Sequence, residues 1–468
     1  MNLFKLSRLE ALALGLVFLL ALAPRLAYVL QIDSEPFSDM ADYDNLARSL
    51  LRGEGFARQG QPTAYRPPLY PAFLAVVYRL AGDCPARARV VQAFLGAANC
   101  ILVFFLARHL MSLSRLRRNG TKSLPPASIG GLVAALIVAF YDEWIFYTGQ
   151  LLSETLYVFL LVAWLLALIA WMSREESPRF CSYAAHFAIG LLAAVLTLTR
   201  PVALFSILPA VGYALWRARK NGGKTYPAVK VAAFFLAGWL ALALPWMIRN
   251  AVHFGPFAGL STNTGVNFYI GHNPHFGYWS TGDKEGIRQR TDLDEARESR
   301  LFLRLGLSHV LRQPGTTALN TLRKIHFLFF EPWRPWPQAL APGVMQSPLD
   351  PWNPWSKRHL APYKPWPWFG HGRELPPAKG FAFPLLPWDL PLIGLVALGL
   401  ALALWDRCPW ALLYWAMGGH IVSCLVFFSR ARFRIPLGVI FSLLAAYALT
   451  KAIKSVLASC HQRASANA

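Results

Sequence analysis

Residues 38–56, SDMADYDNLARSLLRGEGF, place Asp39, Asp42 and Asp44 just after a long apolar run, and Arg66 follows within YRPPLYP, residues 65–71. A carboxylate can take the proton of an attacking hydroxyl, and a guanidinium can hold phosphate oxygens through two parallel hydrogen bonds. Brought together, the two suit a reaction between a hydroxyl and a phosphate-bearing partner. An aspartate on a surface helix is commonly just solvated, so position alone assigns none of the three. The Pro67-Pro68 pair favours chemistry, because it pins a basic group at a rigid turn directly before a second helical pattern.

A fourth carboxylate, Glu154, sits in TGQLLSETLY, residues 148–157, at the start of an apolar segment. A carboxylate carried into lipid costs roughly 2.5–3.5 kcal/mol on insertion scales, which makes Glu154 a candidate site residue; a polar cap at the end of a span is the competing reading. Asp142 and Glu143 share its turn and read as solvated loop residues. Candidate phosphate ligands beside Arg66 are Arg200 in LTRP, Arg249 in WMIRN, and Arg430, Arg432 and Arg434 in RARFRIP. Each alone could snorkel to the lipid boundary. Orientation gathers basic residues on the cytoplasmic side, so four clusters on the other side call for a further reason. Residues 261–274, STNTGVNFYIGHNP, read as a turn-rich loop with many hydrogen-bonding groups, and His272 within it has no metal-ligand spacing.

The elements that must hold these groups are read from composition. Of 468 residues, 55% are hydrophobic and 15% charged, against about 25% charged in soluble chains. Apolar runs near the spanning length recur at 9–30, 86–107, 127–147, 151–172, 183–199, 201–216, 228–248, 384–405, 409–428 and 433–454. The fold class is therefore an all-α multi-pass membrane protein of about ten spans. The first run lacks a cleavage site and reads as a retained helix. Lys5, Arg8, Arg108, Arg115, Arg117, Arg118, Lys122, Arg217, Arg219, Lys220, Lys224, Lys451, Lys454 and Arg463 all fall on one side if both termini are cytoplasmic. That places 31–85 and 249–383 outside the cytoplasm. The net charge of +22 points to anionic head groups or phosphate-bearing substrates, and no basic soluble module exists to carry nucleic acid. Six scattered cysteines predict neither a disulfide framework nor a zinc site.

Two outer stretches are helical without spanning. In 39–52, Met40, Tyr43, Leu46, Ala47, Leu50 and Leu51 recur at spacings of three and four before Gly53, the pattern of a helix lying on the membrane surface. Residues 293–330 read as two more such helices, broken at Pro314-Gly315. Residues 331–383 hold twelve prolines and six tryptophans, a rigid loop at the lipid boundary or a lid over a site. The chain thus divides into a transmembrane catalytic region, 1–330, that loop, and C-terminal spans with a cytoplasmic tail, 384–468.

The motifs SDMADYDNLA (38–47), YRPPLYP (65–71), TGQLLSETLY, LTRPVAL (198–204), LPWMIRNAVHFG (244–255), STNTGVNFYIGHNP and RARFRIP (430–436) resemble those of the GT-C superfamily. Within it the sequence is most similar to polyprenyl-phosphate-sugar transferases akin to the lipid A aminoarabinose transferase and the protein O-mannosyltransferases. The resemblance implies a GT-C-like bundle of ten to thirteen spans in the cell membrane. It also implies a polyprenyl-phosphate-linked sugar donor and an active site on the extracytoplasmic face. Asp39 matches the family's catalytic carboxylate, the general base on the acceptor, with Asp42 one turn away as the alternate. Glu154 would steady the acceptor or donor sugar, and Arg66 matches the basic residue that reaches the donor phosphate. No cofactor is required, and divalent metal use varies in the family. The chain departs from these relatives in lacking their large C-terminal soluble domain, which leaves the acceptor open among glycolipid, glycan and protein.

Other classes compete. A transporter or flippase of lipid-linked glycans places ionisable groups near the bilayer midplane, often in repeated halves. Here the charges gather at the outer surface and no halves match. A glycan ligase or polymerase would share the outer arginines but not the Asp39 pattern.

Overall fold

The computed structural model describes residues 4–32, 34–117, 127–172, 179–220, 228–256, 258–273, 293–329 and 389–466. The proline- and tryptophan-rich segment 331–383 lies outside the described residues. All ten apolar runs coincide with helices: α1 (Arg8–Val29), α4 (Pro85–Arg117), α5 (Ala127–Ala139) with α6 (Asp142–Gly149), α7 (Glu154–Met172), α8 (Arg179–Thr199), α9 (Leu204–Lys220), α10 (Ala228–Phe254), α14 (Asp389–Trp405), α15 (Ala411–Val426) and α16 (Gly438–Ala466). Between them lie α2 (Asp39–Leu51), α3 (Leu69–Ala81), α11 (Thr264–Gly271), α12 (Glu295–Arg312) and α13 (Pro314–Phe329). Among the described residues, five helices are long and apolar enough to cross a membrane, or six if the bent pair α5–α6 is one span. The protein is a multi-pass helical membrane protein, and among the described residues the remaining runs form shorter apolar helices.

The α5–α6 pair bends by 53°. Such a break leaves the last carbonyls of α5 without helical partners, a costly state in lipid. Arg25, fully buried within α1, fills the gap: its Nη1 donates to Ala139 O at 2.9 Å and its Nη2 to Val138 O at 3.1 Å. This charge inside the first span was not singled out by pattern, because a single Arg barely lowers the hydropathy of a long apolar run.

Helices α8 and α10 approach closely. A side chain at Gly190 would collide with the carbonyl of Phe235, and one at Gly238 with that of Phe187. Small residues at such positions let helix backbones meet where lipid supplies no hydrophobic drive between helices.

The helix read over 39–52 is observed as α2, with Met40, Tyr43, Leu46 and Ala47 buried. Its apolar side clusters with Tyr70, Leu74 and Tyr78 of α3, with Leu151 just before α7 and with Leu156 in its first turn. Gly53, at φ +74°, stops it. The chain returns through a hairpin, β1 (Ala57–Arg58) and β2 (Gln61–Pro62), whose turn residues Gln59 and Gly60 both take positive φ. The pair read at 293–330 is present as α12 and α13, and α13 is not among the helices apolar enough to span. Residues 261–274 differ from expectation: Thr264–Gly271 form helix α11, not an open loop. Val266 and Tyr269 sink against Phe302 of α12, and that tertiary burial outweighs the local turn preference of Gly, Asn and Thr.

Candidate functional site

Asp39 opens α2. The residue before it, Ser38, has φ +51°, a conformation that costs a side-chain-bearing residue of the order of 1–3 kcal/mol. Strain thus sits one residue from the carboxylate of interest. The hairpin and the Pro67-Pro68 turn then bring two arginines back to α2. Arg66 Nη2 lies 2.5 Å from Asp39 Oδ1 and 3.0 Å from Asp42 Oδ2. Arg58 of β1 pairs with the other oxygen of Asp42. The rings of Tyr43 and Tyr65 lie 5.2 and 5.3 Å from the Arg66 guanidinium carbon, a cation–π arrangement that fixes its plane.

The third aspartate is structural. Asp44 is buried, accepts from Tyr78 Oη of α3 at 2.5 Å and pairs with Arg48 Nε at 2.9 Å. Its neighbours on the same helix, at the positions of Asp39 and Asp42, are the ones that face the arginines.

Glu154 begins α7 and is almost fully buried. A carboxylate there is favoured by the unpaired amides of the helix N-terminus. Arg200, which follows α8, donates to it at 3.0 Å between the rings of Tyr157 and Phe433, each 5.6 Å away. Arg432, in the 3-10 turn Ala431–Leu437 before α16, joins the two halves. Its Nη1 is 3.3 Å from Asp39 Oδ2 and its Nε is 3.9 Å from Glu154 Oε1. Five chain segments distant in sequence therefore meet in one cluster of alternating charge.

Desolvation disfavours the charged form of Asp39, but Arg66 and Arg432 outweigh it and hold its carboxyl well below the usual carboxylate range. Asp39 and Asp42 in turn keep the half-buried Arg66 firmly protonated against its own desolvation.

Three expected phosphate ligands stand apart from the cluster. Arg249 is occupied by backbone: it donates to Thr63 O at 2.6 Å and Phe56 O at 2.9 Å, and stacks near Trp246 at 5.0 Å. Arg430 lies over Phe327 of α13 at 4.8 Å. Arg434 is buried and paired with Glu143, with 3.1 Å from Nε to Oε1, and Tyr141 Oη also donates to that carboxylate. Glu143 is thus a buried ion-pair partner, not a solvated loop residue, since the kink at α6 turns it inward to meet the residue two positions beyond Arg432.

Two positions absent from the sequence reading support the site. Arg58 neutralises Asp42, and only the hairpin reveals that pairing. Glu295, at the start of α12, accepts from Thr63 Oγ1 at 2.5 Å, from Ala64 N at 3.0 Å and from Thr262 Oγ1 at 2.9 Å. With Arg249 it clasps the strand that leads into Arg66. Among the described residues, no group of three or more His, Cys, Asp or Glu side chains could hold a metal ion.

No family model and no curated protein matches the chain. Among solved structures it is similar to the oligosaccharyltransferase AglB from Archaeoglobus fulgidus, in complex with an inhibitory peptide and a dolichol-phosphate. The identity is 12%, the match covers 98% of this chain and 52% of that one, and the TM-score is 0.49. The chain thus spans about half the length of the archaeal protein. It is also similar to ArnT from Cupriavidus metallidurans, bound to undecaprenyl phosphate and in the apo state. Those matches have 14% identity, cover 93% of this chain and 77% of that one, and have TM-scores of 0.37 and 0.36.

Proposed function

We propose that the protein is an integral membrane glycosyltransferase that moves a sugar from a polyprenyl-phosphate donor to an acceptor O–H, on an alcohol or a phosphate, at the extracytoplasmic face. The observation that supports this most is the Asp39–Arg432–Glu154 bridge, flanked by Arg66 and Arg200. It joins a candidate base to cations suited to a phosphate.

In this reading Asp39 takes the acceptor proton as the acceptor oxygen bonds to the anomeric carbon. The bond from that carbon to the phosphate oxygen breaks, and its electron pair leaves with the polyprenyl phosphate. Arg66, Arg200 and Arg432 are the donor-phosphate ligands, because their guanidiniums gather where that charge develops. Asp42 steadies Arg66. Glu154 orients Arg200 and Arg432 and stands ready to bind a sugar hydroxyl.

The test uses purified protein in lipid with labelled polyprenyl-phosphate sugars. Asp39→Asn should abolish formation of the glycosidic bond while donor binding persists. Movement of a lipid-linked glycan across the bilayer with no new glycosidic bond would replace the transferase reading with a transporter.

A further inference from the structure

Helix α12 has two unlike faces. Phe302, Gly306 and His309 are buried, with Phe302 against Tyr269 of α11 at a ring separation of 5.1 Å. The opposite face is open. Along it Leu303, Leu307 and Leu311 recur at intervals of four, and Leu311 is 79% exposed. Arg297, Arg300 and Arg304 are also exposed and fall at intervening positions on the same side of the helix.

Apolar and basic side chains interleaved on one open face match a particular surface. Leucines need contact with hydrocarbon, and guanidiniums need anions at the depth where their stems reach. An interface of acyl chains and anionic head groups supplies both. Arg297 is partly offset by Asp294, at 3.1 Å. Arg300 and Arg304 have no hydrogen-bond or ion-pair partner among the described residues. Of the acids at this end of the helix, Asp294 also caps it by accepting from Arg297 N at 2.8 Å, Glu295 holds the turn before Arg66, and Glu298 falls at a position on the other side.

We propose that this face of α12 seats on the anionic head groups of the membrane. The seat stands on the composition and exposure of the helix and does not depend on the transferase reading. It bears on that reading because Glu295 belongs to the same helix, so what steadies α12 steadies the strand leading into Arg66.

Hydrogen–deuterium exchange of the full chain in lipid nanodiscs tests the seat. Residues 295–312 should exchange about fivefold more slowly, or slower still, in discs containing phosphatidylglycerol than in discs of phosphatidylcholine alone. The gain should fade in high salt. The double variant Arg300→Gln/Arg304→Gln should lose the difference between the two lipids. Leu303→Gln/Leu307→Gln should raise exchange in both. Inorganic phosphate added to phosphatidylcholine discs should change nothing; if it reproduces the protection, the helix binds a free anion and the lipid seat is wrong. Equal exchange in the two lipids at low salt would also overturn the proposal. So would protection that persists in the double arginine variant.

Discussion

Arg432 lies between Asp39 and Glu154, with Nη1 3.3 Å from the first carboxylate and Nε 3.9 Å from the second. Neither contact is short, and the side chain keeps 29% of its exposure. Arg66, by contrast, sits at 2.5 Å from Asp39 with tyrosine rings nearby. Of the cations touching Asp39, Arg432 is the one held more loosely. A phosphate entering the cluster competes with the carboxylates for guanidinium hydrogen bonds. In the proposed reaction, a turn of Arg432 towards that phosphate would take from Asp39 part of the positive field that makes it a weak base. Donor binding and activation of the base would then be linked through one side chain.

On the proposed mechanism, Arg432→Gln would remove a phosphate ligand and the link at once. The expected loss in kcat is about 10²–10³, the scale measured when one preorganised donor to a developing negative charge is deleted. Arg432→Lys recovers little, because a single ammonium cannot address two carboxylates and a phosphate as a planar fork does. Arg66→Ala should act chiefly on donor affinity. Steady-state kinetics together with direct donor binding separate the two, and equal donor affinity in wild type and Arg66→Ala would remove Arg66 from the site.

The pH dependence carries a definite sign. Arg66 and Arg432 hold the Asp39 carboxyl below its ordinary range, so in the wild type the carboxylate persists into more acidic solution than a free aspartate would. A base is active when deprotonated, and the acid limb of kcat/KM reports it in the free enzyme. In Arg66→Ala or Arg432→Gln the field weakens and that limb moves to higher pH. The same depression makes the Asp39 pairings contribute stability above the unfolded pKa and lose it as the pH falls through the folded one. A limb that stays in place in both variants would mean that Asp39 is not the group being titrated.

Much of this was legible in the residues. Apolar runs locate the helices because a chain in lipid must satisfy its backbone internally. The spacing of Met40, Tyr43 and Ala47 marks the helix α2, although the apolar face expected to lie on the membrane surface is buried against α3. What pattern could not show is pairing. Asp39, Asp42 and Asp44 look alike in the sequence, and only the packing of α3 gives Asp44 to Tyr78 and Arg48. Arg432 and Arg434 are equally ambiguous. They stand two residues apart in a 3-10 turn, where that step carries one towards Asp39 and Glu154 and the other towards Glu143. Glu295 was invisible because the partners that tie it to the site, Thr63 and Ala64, lie more than two hundred residues away.

Glu295 gives a prediction of its own as a positioning residue, since it touches neither donor nor acceptor in the proposed reaction. Glu295→Ala frees Thr63 and leaves the Ala64 amide without its acceptor, so Arg66 loses a fixed approach to Asp39. The donor KM should rise several-fold with a smaller change in kcat. Glu295→Gln, which can still accept through one oxygen, should recover part of the loss. A purely structural role would lower thermal stability in both variants and leave the balance of KM and kcat unchanged.

The Glu143–Arg434 pair is nearly excluded from solvent on both sides. Removing one partner of such a pair strands a buried charge, at a cost of about 3–5 kcal/mol. Glu143→Gln and Arg434→Gln should each lower the thermal midpoint in detergent markedly. Glu143→Leu/Arg434→Met should restore most of it, because two apolar side chains leave no charge behind. If the double variant unfolds as readily as the single ones, the pair does more than neutralise itself.

Lys324 offers the last test, because hydrogen-bond roles constrain its charge. It is fully buried on α13, donates to Leu425 O at 2.7 Å and lies 3.1 Å from His272 Nε2. The same ring nitrogen is 2.8 Å from Val426 O, which can only accept, so Nε2 carries the hydrogen. An Nε2–H cannot receive a bond from an ammonium, whereas a neutral amine can offer it a lone pair. Desolvation accordingly brings the Lys324 pKa down to about 7 and, with Lys324 second, lowers that of His272 to about 4. Between about pH 7 and the ordinary lysine range the unfolded chain then binds the extra proton, so stability should rise with pH across that window. Thermal unfolding from pH 7 to pH 9.5 should show the increase in the wild type and lose it in Lys324→Met. Lys324→Arg, whose charge cannot be shed, should destabilise at every pH. A slope that survives in Lys324→Met would place the titrating group elsewhere.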